Sequence, residues 1–233
     1  MEEAKESVAK EIVEAAGQDD SVLDDAATAK LIQEIKQGYR EWEFEDVKYR
    51  SRFPVSQEDN DANWAYSKAF NRGLKEDLPT SSEMDKMLRS RGLWSDDDEK
   101  ELQDWREEIE RIEASVAKKE LDDRSKPTVK LIERLMELRG SLMVKSGTYR
   151  EYMNQTVEAK ADEARLSLLV ANCTETSDGK KVWDSPGDFM NDKRKGLVNT
   201  ATYEYITFVS GMSENYLEDL TEVKFLRAGK DAE

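Results

Sequence analysis

Apolar residues recur at helical spacing through most of the chain. The first clear case follows Ser95, where five apolar residues stand at alternating steps of three and four: Leu102, Trp105, Ile109, Ile112 and Val116. Such heptad spacing is typical of a helix that packs against another helix, as in a coiled coil. Ser95 with Asp98 predicts the start of this helix, because a serine hydroxyl caps free backbone N–H groups and acids are favourable near a helix N terminus.

A second heptad stripe runs from Thr128 to Cys173. Ten of its fourteen positions are apolar when tyrosine and cysteine are counted. The exceptions are Thr128, Lys145, Thr156 and Glu163. As one uninterrupted helix this stretch would be about 70 Å long. The short polar connection at residues 121–127 predicts that the two helices fold back on each other as an antiparallel hairpin with coiled-coil packing.

Two glycines weaken the second long helix. Gly140 and Gly147 each cost about 1 kcal/mol relative to alanine in a helix interior. Lys145 stands between them on the otherwise apolar stripe. We therefore expect a kink or a break in this stretch, and the alternative is an intact helix that is stabilised by its packing.

The N-terminal part combines short helices with a strand-like segment. Apolar spacing predicts helices over residues 2–16 and 25–37, the second ending before Gly38. From Trp42 to Phe53 apolar and charged residues alternate as in a strand. A single strand is not stable alone, so this one pairs locally, pairs with a partner, or forms an extended arm.

Capping and turn signals mark the remaining elements. Thr80 with Glu83 forms a capping box at the start of a short helix, and Ser185-Pro186-Gly187-Asp188 predicts another helix start. Asp178-Gly179 predicts the turn of a small β-hairpin within residues 174–184. A C-terminal helix over residues 197–227 is predicted by one apolar stripe: Val198, Tyr205, Val209, Met212, Tyr216, Val223 and Leu226.

These elements predict an all-α fold with minor β structure. Its centre is a long antiparallel, coiled-coil-like hairpin over residues 95–173, with flanking helices and a possible small β-hairpin. Residues 1–54 are predicted to form acidic helices and an extended aromatic arm. Residues 55–233 are predicted to form the helical body, in which the C-terminal helix 197–227 covers the part of the long hairpin helix that its shorter partner leaves exposed.

Charge is distributed unevenly along the 233 residues, whose net charge is −16. Residues 1–30 hold nine acids and three bases, and residues 94–123 hold thirteen acids and five bases. This composition argues against direct binding to nucleic acid, which requires a basic surface. The two acidic segments are interpreted as solvated helix faces, and the alternative is docking to a basic partner or mimicry of nucleic acid.

The sequence offers no recognisable catalytic motif, although its 52 acids do not exclude a pair of catalytic carboxylates by residue type. It contains no histidine, which removes the usual general base and most zinc sites. Cys173 is the only cysteine and ends an apolar stripe, so a buried structural thiol is predicted. The acidic run Asp96-Asp97-Asp98-Glu99 lacks the spacing of a calcium loop and is interpreted as a helix N-terminal cap. We therefore predict no catalytic residue, cofactor or metal.

Four aromatic residues are the candidates for partner binding: Trp42, Phe44, Tyr49 and Phe53. They lie in a charged stretch, and a contiguous exposed aromatic patch usually marks an interaction site. The alternative is that they pack onto the helical body. The other four tryptophans are predicted to be core or hairpin-junction residues: Trp64, Trp94, Trp105 and Trp183.

Two stretches carry a resemblance to a known class of proteins. They are FNRGLKEDLPTSSEMDKMLRSRGLWSDDDEKELQDWREEIERIEASV (70–116) and EARLSLLVANCTETSDGKKVWDSPGDFMND (163–192). Together they resemble small acidic helical proteins encoded among the structural and tail-assembly genes of tailed bacteriophages. The resemblance covers roughly residues 47–195 and implies a virion or tail component or an assembly chaperone.

The expected function is that of a non-enzymatic phage structural or assembly protein that acts through protein–protein contacts. Its expected partners are other phage structural proteins or a second copy of itself, without direct nucleic-acid binding. The start of the chain lacks the pattern of a signal peptide and no apolar run reaches the length of a membrane span, so the expected location is the host cytoplasm during assembly, and the particle for a virion component. The alternative function is an acidic regulator that occupies a basic or nucleic-acid-binding site on another protein.

Overall fold

The computed structural model describes residues 25–119, 123, 125–213, 217–218 and 220–230, so the predicted helix over residues 2–16 lies outside the described part. The described helices are α1 (Asp25–Gln37), α2 (Ser56–Lys75), α3 (Ser81–Ser90), α4 (Asp96–Val116), α5 (Lys126–Met153), α6 (Val157–Cys173), α7 (Pro186–Asn191), α8 (Lys195–Val209) and α9 (Thr221–Lys230). The described strands are β1 (Tyr39–Phe44), β2 (Val47–Arg52) and β3 (Thr174–Thr176). The predicted class, all-α with minor β, is confirmed.

The described residues divide into two compact units. Unit 1 falls within Met1–Arg72 and Lys160–Asn215, and unit 2 falls within Gly73–Ala159 and Tyr216–Glu233. The predicted boundary lay between residues 54 and 55, and the two units do not divide there. The predicted arm is part of a unit that also contains helices from much later in the chain.

Unit 1 contains a small antiparallel sheet in the order β1-β2-β3. The segment that the sequence suggested to be one strand is a hairpin, in which Phe44 pairs with Val47 across the turn residues Glu45 and Asp46. Both turn residues have positive φ, as in the type I′ turns that suit the twist of a hairpin. The strand therefore pairs locally, and the prediction of an extended arm is wrong.

The third strand comes from far along the chain. Thr174–Thr176 pairs with β2, and Thr176 also accepts and donates backbone hydrogen bonds across the turn at Gly179. Gly179 has a φ of +84°, as a tight turn requires. The predicted turn at Asp178-Gly179 is thus present, although its second limb is a single bridge at Lys181 and not a full strand.

The core of unit 1 lies between the hairpin and helices α6 and α8. Inward-facing side chains of β1 and β2 meet a group of buried residues from the two helices, namely Leu169, Val170, Ala171, Cys173, Leu197, Ala201 and Tyr205. Trp183 and Phe189 complete this cluster with an edge-to-face contact whose ring centroids are 4.9 Å apart. α7 starts at the predicted cap, where the Ser185 hydroxyl accepts from the backbone N–H of Asp188.

In unit 2, α4 and α5 pack with opposite directions. Lys119, just after α4, donates to Thr128 near the start of α5, while Asp98 at the start of α4 pairs with Lys145 near the end of α5. Between these ends lies a shared core of apolar residues: Ile109, Ile112, Val116, Ile132, Leu135 and Leu138. The two helices thus pack antiparallel as predicted, and coiled-coil supercoiling stays a prediction.

The second long helix is interrupted, but not where the glycines predicted. α5 is continuous from Lys126 to Met153, through both Gly140 and Gly147, so the predicted break there is wrong. The interruption lies at residues 154–156, and a new helix starts at Val157. The Thr156 hydroxyl accepts from the backbone N–H of Ala159 and donates to the carbonyl of Met153, so it satisfies backbone groups on both sides of the break.

The predicted continuous C-terminal helix over 197–227 is also wrong. α8 ends at Val209, followed by Gly211 with a φ of +67°, and α9 starts only at Thr221. Phe225 of α9 packs in the core of unit 2, whereas Tyr205 of α8 packs in the core of unit 1. Residues 197–227 therefore contribute to two cores, whereas Val209 and Leu226 of the predicted stripe are exposed.

None of the described helices combines the length and the apolar character that crossing a membrane would require.

Candidate protein-binding surfaces

The four aromatic candidates lie inside unit 1. Trp42 and Tyr49 are cross-strand partners that stack with ring centroids 4.8 Å apart, and each is only 6% exposed. The indole N–H of Trp42 donates to the Ser51 hydroxyl at 3.0 Å, so the buried ring has its hydrogen-bond partner within the sheet.

Phe44 and Phe53 pack against α8. A Cβ atom on Gly196 would lie 2.9 Å from the Phe44 ring, so glycine at this position permits the close approach of that ring. The rings of Phe53 and Phe208 have centroids 4.4 Å apart. The structure therefore favours packing onto the helical body, which was the alternative for these four residues. The sheet brings them together in the core of unit 1, and they do not form an arm.

A charged cluster lies beside this aromatic core. Arg52 uses all of its N–H groups: its Nε donates to Glu175, both Nη atoms donate to Glu58, and two backbone carbonyls accept the remaining bonds. Glu175 also accepts from Arg50, its partner across the strands. The cluster thus links β2, β3 and α2 through charge-assisted hydrogen bonds.

These contacts shift the pKa values of the groups in a consistent direction. Hydrogen bonds from Arg52 lower the pKa of Glu58 below its usual value. Burial raises the pKa of Glu175, but the hydrogen bonds from Arg52 and Arg50 outweigh this effect and lower it overall. A carboxylate whose charged form is stabilised in this way is a poor general acid near neutral pH, so the cluster is suited to holding the sheet and not to proton transfer.

A second charged residue, Arg40, is fully buried in unit 1. It pairs with Glu34 of α1 at 2.8 Å and donates to the Thr207 hydroxyl and to the Met212 carbonyl. Its guanidinium also lies 5.6 Å from the centroid of the Phe208 ring. One side chain on β1 therefore ties α1, α8 and the segment after α8 to the sheet.

Cys173 is fully buried, which confirms the predicted buried thiol. Burial raises its pKa to about 12, so the thiol stays protonated at neutral pH. Tyr205 neighbours it, and burial likewise raises the pKa of that phenol.

A shallow depression between α1 and the hairpin is the remaining cavity of interest in unit 1. Its lining is mainly polar and includes Lys30, Gln33, Glu41, Glu43 and Lys48, together with the aromatic Trp42. Such a polar, open lining differs from the enclosed and mostly apolar pockets that hold cofactors. Within the part of the chain that the structure describes, no group of three or more potential ligand side chains could hold a metal ion.

Trp64 is the most exposed of the described tryptophans and the clearest correction to the sequence prediction. It was predicted to be a core or junction residue, yet it is 72% exposed on α2, whereas Trp94 and Trp183 are buried. Residues one turn away from it on the helix, including Asn60, Ser67 and Lys68, are exposed and polar. Polar neighbours at steps of three and four were the sequence signal that placed Trp64 on the outer face.

Polar side chains on either side of Trp64 along α2 form hydrogen bonds within the helix. Asn71 donates to the backbone carbonyl of Ser67, and Gln57 donates to the carboxylate of Asp61, so these side chains are held along the helix. An exposed aromatic ring with ordered, hydrogen-bonding neighbours has the composition of an interface anchor and its rim.

Fewer carboxylates of α4 are available for binding a partner than its composition implied. Six of its ten carboxylates form ion pairs within unit 2: Asp96 and Glu99 with Arg89, Asp98 and Glu101 with Lys145, Glu108 with Arg134, and Glu113 with Arg139. The Lys145 ammonium also lies between the rings of Trp94 and Trp105, which explains a lysine on the apolar stripe. More than half of the carboxylates of α4 are therefore paired with bases of the same unit, several of them at its surface.

Comparison with known proteins finds no matching family model, no matching curated protein and no matching solved structure.

Proposed function

We propose that this chain is a non-enzymatic protein-binding component that serves as a structural or assembly protein of a tailed bacteriophage. The binding role is supported by one observation above the others, the 72% exposure of Trp64 in the middle of a well-formed helix. Tryptophan is the residue type most enriched among the side chains that dominate binding energy at protein interfaces, and here its ring is accessible to a partner. The phage role is supported by the resemblance of residues 70–116 and 163–192 to proteins encoded among phage structural and tail-assembly genes.

The surface around Trp64 suggests the kind of partner. Its neighbours are mainly neutral side chains such as Asn60, Ser67 and Asn71, with Asp61 and Lys68 of opposite sign at the same level. Such a surface matches a protein face with an apolar pocket and hydrogen-bonding groups around it, and it offers no basic stripe for a nucleic-acid backbone. A neighbouring phage structural protein is the proposed occupant.

The test compares two truncations of exposed apolar side chains in unit 1. We expect Trp64→Ala to weaken incorporation into particles or assembly intermediates about 30-fold, the effect of losing a binding hot spot. Met190, which is 54% exposed on α7, is the matched control, and Met190→Ala is expected to leave incorporation unchanged. Quantitative mass spectrometry of purified particles and intermediates gives the readout, and circular dichroism checks that both variants are folded.

The chain would be absent from both particles and intermediates if the phage role were wrong. Incorporation of Trp64→Ala at the level of the unaltered protein would instead show that another surface carries the contact. The two failures are distinct, because the first concerns the unaltered chain and the second only the variant.

The acidic regulator is the second candidate function, and the unpaired carboxylates of α4 favour it. Asp97, Asp104 and Glu110 are exposed and have no ion-pair partner among the described residues. Binding through them would weaken steeply with added salt and would be lost on replacing the three by asparagine or glutamine. Binding through Trp64 would respond little to either change, so the same titration separates the two candidates.

A further inference from the structure

The outer side of α5 is apolar and partly exposed in the part of the chain that the structure describes. Met143 is 77% exposed and Val144 is 72% exposed, while Met136 is 40% exposed. The opposite side of the same helix carries the buried residues of unit 2, such as Leu135 and Leu138. α5 thus has two apolar sides, of which only one is buried against other described residues.

The outer side has a heptad spacing of its own. Six residues follow at alternating steps of three and four: Glu133, Met136, Gly140, Met143, Gly147 and Arg150. The four central positions carry no charge, and one acid and one base close the two ends. This is the spacing of a helix–helix seam, about 26 Å long at 1.5 Å per residue.

Among the residues that the structure describes, no contact accounts for the two glycines. A Cβ atom at Gly140 or at Gly147 would meet nothing within 4 Å. Each glycine nevertheless weakens the helix by about 1 kcal/mol relative to alanine. Glycine on a helix face lets a second helix come close and leaves a recess for a large side chain. Methionine, unbranched and flexible, fits such recesses well.

We propose that a second copy of this chain docks antiparallel on this face of α5. An antiparallel pair about a two-fold axis places Met136 opposite Gly147 of the other copy, and Met143 opposite Gly140. Every methionine then meets a glycine. Because the arrangement is symmetric, each contact occurs twice.

The charged ends select the antiparallel direction. In the same register Glu133 of each copy faces Arg150 of the other, so two ion pairs form between opposite charges. A parallel pair would set Glu133 against Glu133 and Arg150 against Arg150, and would bring methionine against methionine. Both end residues are exposed and have no ion-pair partner among the described residues, so both are free to pair between copies.

A single pair of helix faces is a small interface, so the dimer is expected to be in equilibrium with the monomer. Sedimentation velocity on the full chain, from about 1 µM to about 500 µM, is expected to show the mass rise from monomer toward dimer with concentration. The dimer does not depend on which protein binds at Trp64, so the failure of either proposal leaves the other standing.

A charge-swap cycle tests the register. Glu133→Arg and Arg150→Glu are each expected to weaken the dimer about tenfold or more, since like charges then face each other. The double variant, with both changes, is expected to restore the dimer because the opposite signs are restored. Glu110→Arg on α4 makes the same charge change at an exposed, unpaired position and is the matched control, expected to have no effect.

Gly140→Ala gives a second signature. It is expected to raise the melting temperature of the monomer, because alanine favours the helix and its Cβ meets nothing, and to weaken the dimer by filling the recess. A chain that stays monomeric at every concentration would overturn the proposal. So would a dimer that is indifferent to the single charge swaps, or one that the double swap fails to restore while circular dichroism shows a folded protein.

Discussion

The two units are held together by different means. Unit 2 is built from heptad stripes, in which residues three and four apart on α4 meet similar residues on α5. Unit 1 is built around a small sheet whose partners come from distant parts of the chain, and two arginines with many hydrogen bonds tie them together. Periodic apolar residues thus build one unit, whereas single polar residues with several partners hold the other.

This difference predicts where one substitution does the most damage. In unit 2 the loss of one apolar side chain removes one part of a repeated contact. In unit 1 the loss of one arginine leaves several buried polar groups without partners, and a buried charge without its counter-charge is strongly destabilising.

The largest expected effect is that of Arg40→Ala. Removing Arg40 leaves Glu34 buried without its ion pair, so we expect the free energy of unfolding to fall by about 3–5 kcal/mol. Arg194, which is exposed and pairs with Asp192, is the matched control, and its replacement by alanine is expected to have little effect. Urea unfolding followed by circular dichroism gives the measurement. If the free energy of unfolding fell by the same small amount in both variants, the buried ion pair of Arg40 and Glu34 would not be important for stability.

Ile109→Ala sharpens the comparison in unit 2. Ile109 is buried against α5, so we expect a loss of about 2–5 kcal/mol from the lost burial and the cavity left behind. Leu93 is 48% exposed in the same unit, and Leu93→Ala is expected to cost much less. Thermal or urea unfolding measures both, and a loss below about 1 kcal/mol for Ile109→Ala would show that the stripe is not a core.

The smallest effect concerns pH and Glu58. Hydrogen bonds from Arg52 lower the pKa of Glu58 in the folded protein, so its stabilisation is complete above its unfolded pKa of about 4.3 and is lost as the pH falls through the folded value. Glu58→Gln is expected to lower stability by about 1–2 kcal/mol at neutral pH. The difference between variant and unaltered protein should be smaller at about pH 3 than at neutral pH, because below about pH 4.3 the carboxyl becomes protonated in the unfolded chain and the stabilisation is progressively lost.

Unfolding curves at the two pH values provide that measurement. Glu163→Gln is the control, because Glu163 is exposed and, among the described residues, forms an ion pair only with Lys160 on the same helix. A stability difference for Glu58→Gln that is the same at both pH values would mean that the ion pair with Arg52 does not account for it.

Much of the helical structure could be predicted from the sequence because its causes are local. α1, the caps at Thr80, Ser95 and Ser185, and the antiparallel packing of α4 and α5 all follow from neighbouring residues. For residues 42–53 the sequence left local pairing as one of three alternatives, because Glu45-Asp46 lacks the asparagine or glycine that usually marks a turn with positive φ. The glycines were misread because packing along the other side of α5 keeps the helix intact.

The candidate surfaces were harder to predict, since burial depends on contacts between distant residues. The alternation of Trp42 and Phe44 was visible, but Leu169 and Gly196, against which this region packs, come more than a hundred residues later. The prediction that Trp64 is a core or junction residue is wrong. It rested on the fact that tryptophan is usually at least partly buried, whereas the polar neighbours of Trp64 on the helix indicated an exposed position. Apolar type alone therefore does not separate an interface residue from a core residue.

The thiol of Cys173 can be used to measure how often the core of unit 1 opens. Because the sequence has one cysteine and it is fully enclosed in unit 1, its rate of reaction with a thiol reagent measures how often that core opens. A cysteine placed at an exposed position such as Met143 would react at once, while Cys173 reacts only through opening. A fluorophore could thus be attached to unit 2 at that position without first removing the native cysteine.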